Sequence, residues 1–408
     1  MTAPAAPESS ARWRALALIA GAELLAMSLW FSGSAVAPAL KAEWRLSDSG
    51  ATWLTLAVQL GFVAGTLVSA LGNLPDVFSA RRLFAVSAVL GAAANAALAV
   101  SARGAASAIA LRFAVGFFLA GVYPPGMKIM ASWFRRGRGM ALGVLVGCIS
   151  LGKGFPYLVN AVGSPDWRIN VLAVSALALV GGALVLFFVH DGPHAAPAAR
   201  FDVGQIAKVF SNRGVRLADF GYFGHMWELY AMWTWFPVFL RESFAARGIP
   251  QPALAELTAF FVIGAGATGC VVAGLAADRL GRTAVTSWAM GLSGACCLAI
   301  GFLFGGSPTL LLVVAVVWGG SIVADSAQFS ACVTELSDPR YVGTALTVQT
   351  CIGFLITMVS IELVPRIAGA VGWRWAFAAL APGPFLGILA MLRLRGLPEA
   401  VQIAHGKR

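Results

Sequence analysis

Two acidic residues set within apolar runs are the first sign of chemistry in this chain. Glu23-Leu-Leu-Ala-Met-Ser-Leu-Trp-Phe31 and Glu228-Leu-Tyr-Ala-Met-Trp-Thr-Trp-Phe236 share six of nine residues at an offset of 205. Within each segment Glu, Met and Trp fall at i, i+4 and i+7 (Glu23, Met27, Trp30; Glu228, Met232, Trp235), so they project from one face of a helix. His225 lies one turn before Glu228 on that face. Arg112, Lys153, Asp325 and Gln328 also interrupt apolar stretches. An ionised group facing hydrocarbon costs at least about 2.5 kcal/mol, so such residues must face a cavity or each other. Nine residues are therefore singled out as facing a cavity or each other inside the protein: Glu23, Trp30, Arg112, Lys153, His225, Glu228, Trp235, Asp325 and Gln328. Arg112 and Lys153 are expected to keep Glu23 ionised. Glu228, among aromatic neighbours, is the expected proton carrier.

The elements that hold these residues are membrane helices. Of 408 residues 59% are hydrophobic and 12% charged, with a mean hydropathy of +0.80. A soluble chain is usually about 25% charged. The apolar runs are continuous and near 20 residues each, which suits helices and not the roughly 10-residue alternation of a barrel. Twelve spans are expected: 13–40, 50–71, 83–101, 105–130, 140–163, 169–189, 215–240, 254–276, 284–304, 309–333, 342–367 and 374–394. The net charge of +11 follows membrane topology rather than nucleic acid. Lys and Arg divide 19 to 8 between alternate connections, with Arg112 and Lys153 left inside the membrane. The positive-inside rule then places both termini in the cytoplasm of a bacterial inner membrane. Ala35-Val36-Ala37 mimics a signal-peptidase site. Its apolar stretch is too long and Pro38 follows directly, so the first span is expected to be retained. Asp219 and Glu362, near span ends, are expected to snorkel.

A polar connection at 191–213 separates residues 1–190 from 214–408. The halves repeat each other. Besides the Glu segments, Gly72-Asn-Leu-Pro-Asp76 matches Gly274-Leu-Ala-Ala-Asp278 at offset 202, Gly139-Met-Ala-Leu142 matches Gly343-Thr-Ala-Leu346 at 204, and Trp167-Arg168 matches Trp373-Arg374 at 206. Two parallel six-helix repeats are implied. Gly61 with Gly65, and Gly264 with Gly269, read as faces for close helix packing. The six cysteines lie in apolar runs without metal-ligand spacing, and no P-loop, His-Glu-x-x-His or Gly-x-Ser-x-Gly occurs. An enzyme is therefore not expected, nor a metal or cofactor.

Gly274-Leu-Ala-Ala-Asp278-Arg279-Leu-Gly281-Arg282 closely resembles the loop motif of the major facilitator superfamily. Gly72, Asp76 and Arg81-Arg82 form a weaker first copy. Leu111-Arg112-Phe-Ala-Val-Gly116 is similar to that family's Arg-x-x-x-Gly motif, whose arginine is often linked to proton coupling. Gly147-Cys-Ile-Ser-Leu-Gly152-Lys153-Gly154-Phe-Pro156 departs from its antiporter motif. The resemblance implies an all-α membrane fold of twelve helices in two six-helix bundles, with the first and seventh spans flanking a central cavity, so that the nine residues named above would line the substrate path and carry coupling. It also implies a cytoplasmic latch of Gly72, Asp76, Arg81, Gly274, Asp278, Arg279, Gly281 and Arg282. A carboxylate in such a latch can sit against a helix N-terminus. The expected function is secondary active transport of a small solute by alternating access. Proton coupling and an organic anion are favoured, in a monomer that needs only lipid, substrate and protons. A drug/proton antiporter for amphipathic cations and a non-transporting sensor are the alternatives.

Overall fold

The structure is a computed structural model. It describes residues 8–134, 138–162, 166–194, 202–338 and 342–407, leaving out the side chains of residues 8, 9, 75, 76, 138, 208 and 405. Twelve long helical segments follow one another: α1 (Ser10–Trp44), α2 (Asp48–Leu71), α3 (Ala80–Val100), α4 (Ala105–Trp133), α5 (Gly139–Val162), α6 (Trp167–Phe188), α7 (Arg213–Ala246), α8 (Pro252–Leu280), α9 (Arg282–Leu303), α10 (Pro308–Leu336), α11 (Val342–Val371) and α12 (Trp373–Arg395). Eleven are long and apolar enough to cross a membrane. The exception, α7, carries Asp219, His225 and Glu228, yet its 34 residues reach about 51 Å at 1.5 Å each. Eight expected spans fall within these helices, 83–101, 169–189 and 284–304 overrun theirs by one residue, and 140–163 ends on a residue outside the described ones. In the connection between halves, Val203–Gln205 form a 3-10 turn and Ile206–Ser211 a short helix.

Three segments are interrupted near mid-length. In α1 the helix breaks at Ser28, whose hydroxyl donates back to the Leu25 carbonyl at 2.6 Å. Such back-bonding competes with the helical ladder. In α4 the break at Ala120–Val122 precedes Tyr123-Pro124-Pro125, where proline removes a donor and crowds the preceding turn. The repeat mate α10 breaks at Ile322–Asp325. In α7, by contrast, the helix runs unbroken through the position that matches Ser28.

The halves meet along α5 against α8 and α2 against α11. On α5, Gly139, Gly143 and Gly147 recur every four residues and form one stripe. A methyl group on Gly143 would lie 2.7 Å from the Cys270 carbonyl oxygen, and one on Gly147 would lie 2.9 Å from the Ala267 Cα. Small residues there let the two backbones close up. The expected packing glycines behave likewise, with Gly61 and Gly65 against α4 and Gly269 against α10. One end of the molecule is thereby sealed. At the opposite end a cleft of about 730 Å³ opens between the halves, lined by Ser34, Lys41, Thr55, Thr234, Trp235 and Arg241 among others.

Candidate functional site

Lys153 lies on α5 at the contact between the halves and is almost wholly buried. Its ammonium donates to the Tyr230 hydroxyl and sits 4.5 Å from the Trp30 ring centre, 4.7 Å from that of Tyr230 and 5.3 Å from that of Trp233. Aromatic faces attract a cation at these distances. Phe62 and Phe354 extend the box, 4.6 Å apart and each tilted against Trp30. Phe31 joins Tyr157 to Trp233 on the other side. The box is also under-satisfied. Trp30 Nε1, Trp233 Nε1, the Tyr157 hydroxyl and both ends of the Gln59 amide are buried without a hydrogen-bond partner. Buried polar atoms usually have one.

Glu23 is the acid whose field reaches Lys153. Neither carboxyl oxygen accepts a hydrogen bond, although the side chain is fully buried. Gly126 makes room for it, because a methyl group there would lie 1.9 Å from Oε1. A buried carboxyl without donors is tolerable only as the neutral acid or opposite a cation.

Arg112 departs from expectation. It touches no carboxylate among the described residues. Its guanidinium donates to the Leu54 carbonyl (3.3 Å), the Leu29 carbonyl (3.0 Å), Ser32 Oγ (2.9 Å), Asn95 Oδ1 (3.0 Å) and the Trp30 carbonyl. Two of these carbonyls follow directly on the break in α1. The five donors of a rigid fork suit that task. Gly33 clears the space, since a methyl group there would lie 2.5 Å from Nε. Arg112 is a clamp on α1, not part of the cavity.

The second-half residues also turn elsewhere. Glu228 accepts from Ser293 Oγ and Trp318 Nε1, both at 2.8 Å, so it faces α9 and α10 within its own bundle. His225 Nδ1 lies 2.8 Å from Asp325 Oδ1 in a buried pair. Gln328 accepts from Arg282 at 2.7 Å. Trp235 donates to the Ile361 carbonyl, packs on Trp373 and lines the open cleft. With α1 broken at Ser28 and α7 unbroken, Tyr230, not Trp235, comes against Trp30, at 5.5 Å. Asp219, expected at the membrane surface, is buried and accepts from Gln349 at 2.9 Å. Glu362 lines the cleft and pairs with Arg366.

At the sealed end the second loop copy bridges the halves. The Asp278 carboxylate sits against the first turn of α5, where a methyl group on Gly139 would lie 2.9 Å from Oδ1. Gly274 packs on the Gly139 carbonyl. Gly281 joins α8 to α9 at φ +93°, a conformation side chains resist. Arg282 grips Glu335 through two hydrogen bonds of 2.7 and 2.9 Å, and Glu335 also accepts from the Ala404 amide. Lys407 donates to the Asp278 carbonyl at 2.6 Å. Arg279 is exposed. The first copy stays within its own half. Gly72 caps α2, and Arg81 donates to the Val189 carbonyl at the end of α6. The side chain of Asp76 lies outside the described residues.

The model of the Major Facilitator Superfamily matches residues 18–361 and 218–407. The chain belongs to this superfamily. Solved structures agree: the proton:xylose symporter XylE aligns over 95% of this chain and 96% of its own with a TM-score of 0.74 at 14% identity. The nucleoside transporter NupG covers 93% and 99% at 0.70 and 15%. Likeness at such identity concerns the fold alone. Among curated relatives, a probable actinorhodin transporter of Streptomyces coelicolor is 31% identical over 52% of this chain and 37% of its own length. A probable sulfoacetate transporter of Cupriavidus necator is 26% identical over 60% of each chain. A gallate transporter of Pseudomonas putida is 24% identical over 69% of each. The chain thus spans less than two thirds of the first two relatives. This superfamily member is a multi-pass membrane protein.

Tyr230, Trp233, Tyr157, Phe62 and Phe354 were not among the expected site residues, nor were Glu335 and Lys407 at the latch. Tyr230 and Trp233 stood within or beside the repeated Glu228 segment, and Glu335 falls seven residues after Gln328 on one helix face. Nothing in the local sequence marks Phe354 or Lys407.

Proposed function

We propose that this chain is a secondary active transporter that moves a small organic anion across a bacterial inner membrane by alternating access, with a proton as the coupling ion. Lys153 carries this reading: it is a buried cation in an aromatic box, with no carboxylate at salt-bridge distance among the described residues. An anionic solute would supply the missing counter-charge, and the orphaned indole, phenol and amide groups would hold it. A cationic solute would meet a like charge already seated in the box. Gallate and sulfoacetate, named for two of the relatives, are organic anions.

Residues 1–190 and 214–408 act as the two rocking bodies, joined through 191–213. The latch faces the cytoplasm, as do both termini, and Asp278 at the N-terminus of α5 holds the outward-facing state. Glu23, not Glu228, is the coupling acid, because its carboxyl is unpartnered and its charge acts on Lys153. Protonation of Glu23 frees Lys153 for the substrate, and its loss returns the pair to the resting state. The protein works as a monomer.

Uptake of labelled gallate and sulfoacetate into proteoliposomes under an imposed pH gradient tests this reading. Native protein should take up at least one of them, and Lys153→Gln should lose both uptake and equilibrium exchange. Undiminished exchange in Lys153→Gln would remove the basis for an anion site.

A further inference from the structure

The box is built from rings of both halves, and any guest must part them. Five ring pairs cross the boundary: Trp30 with Tyr230 and with Phe354 (5.5 Å each), Phe62 with Phe354 (4.6 Å), and Phe31 with Tyr230 (6.3 Å) and Trp233 (6.2 Å). Offset and edge-to-face ring pairs gain more than their buried area alone provides. A saturated guest entering here forfeits that gain. A planar aromatic guest restores it, offering two faces and an edge to the rings it separates.

Charge sets a second limit. Of the two cations buried at this depth, Arg112 is occupied by its five acceptors on α1, α2 and α3. Lys153 remains, and Glu23 lies close enough for its field to act on it. One carboxylate is balanced by Lys153. A second would enter a buried site that holds an acid and no further cation, and an unpaired buried charge is costly. The Trp30 and Trp233 rings lie 4.5 and 5.3 Å from the Lys153 ammonium, and their unpartnered indole N–H groups can donate to the guest. Access comes from the open cleft, whose lining residues Ser34 and Thr234 lie within a turn of Phe31 and Trp233.

We propose that the substrate is an aromatic monocarboxylate, with its carboxylate on Lys153 and its ring inserted among Trp30, Tyr230, Trp233 and Phe354. The proposal rests on the organic-anion reading above and narrows it.

The test is equilibrium binding to the purified full-length chain, read by quenching of tryptophan fluorescence and by thermal shift. The probes are benzoate, cyclohexanecarboxylate, isophthalate, acetate and benzylammonium. Benzoate should bind at least tenfold tighter than cyclohexanecarboxylate, which keeps the charge and size but lacks the ring face. It should also bind at least tenfold tighter than isophthalate, which adds a second carboxylate. Lys153→Gln should abolish benzoate binding, and Trp30→Leu should bring the benzoate-to-cyclohexanecarboxylate ratio toward one. The probe comparison on the native chain decides the matter even if a variant fails to fold. Equal binding of the two rings, or tighter binding of isophthalate or acetate, overturns the aromatic monocarboxylate and leaves the anion reading standing. Binding of benzylammonium in preference to every acid, or of no probe at all, overturns both.

Discussion

Replacing Glu23 by glutamine should separate proton coupling from substrate movement, whereas replacing Glu228 should not. Glu23 accepts no hydrogen bond, so Glu23→Gln keeps the shape and breaks no bond. It removes only the ability to exchange a proton opposite Lys153. Glu228 accepts from both Ser293 and Trp318 at 2.8 Å. An amide can accept one of them and turns its own N–H groups toward the other, leaving a buried donor unsatisfied at about 1–3 kcal/mol. The effect of Glu228→Gln should therefore appear in thermal stability. Coupling has its own scale, since one pH unit is worth about 1.4 kcal/mol per proton, or tenfold in concentration. If one proton accompanies one monoanion, the exchange is electroneutral, and an imposed gradient of two units drives accumulation up to about 100-fold. Native protein and Glu228→Gln should approach that limit in proteoliposomes, the latter with a lowered melting temperature. Glu23→Gln should equilibrate substrate without concentrating it, while retaining counterflow at equal pH. Accumulation above equality by Glu23→Gln, or its loss in a counterflow-competent Glu228→Gln, would refute the assignment of coupling to Glu23.

Asp278→Asn should insert normally but loosen the latch. Cys270, buried beside Gly143 on the α5–α8 contact, should then react faster with a thiol reagent, as read by mass spectrometry; unchanged reactivity with normal transport would reduce the loop to a turn. Gly281→Ala should cost about 1–3 kcal/mol, because φ +93° strains any side chain, and a melting temperature equal to the native one would contradict that. Arg112→Lys should lower stability, since three donors cannot serve five acceptors, while the folded fraction keeps its proton-to-substrate ratio; loss of coupling at native stability would return Arg112 to the coupling machinery. Labels at His194 and the C-terminus should react only from the cytoplasm and a label at Ala245 only from the periplasm, and the opposite pattern would invert the topology.

The sequence by itself determined the class of fold. Continuous apolar runs fix membrane helices because hydrocarbon leaves no other way to satisfy the backbone, and repeats near an offset of 204 fix two halves. It also marked Lys153, Glu23 and Asp278, since a charge in an apolar run must find a cavity, a partner or a helix end. The tertiary structure decided which charges share a site. Glu23 and Glu228 match in sequence, yet Glu23 is left without a hydrogen-bond partner while Glu228 accepts from Ser293 and Trp318 of its own bundle. Arg112 reads as a coupling residue until its five acceptors are seen, four of them more than 50 residues away along the chain. The box itself joins Trp30, Lys153, Tyr230 and Phe354, and only the packing of α5 on α8 and of α2 on α11 brings these distant residues together. Local pattern specifies which face of a helix is polar. What that face meets depends on the phase and closeness of helices that the chain reaches 77 residues later, for Lys153 and Tyr230, to 324 residues later, for Trp30 and Phe354.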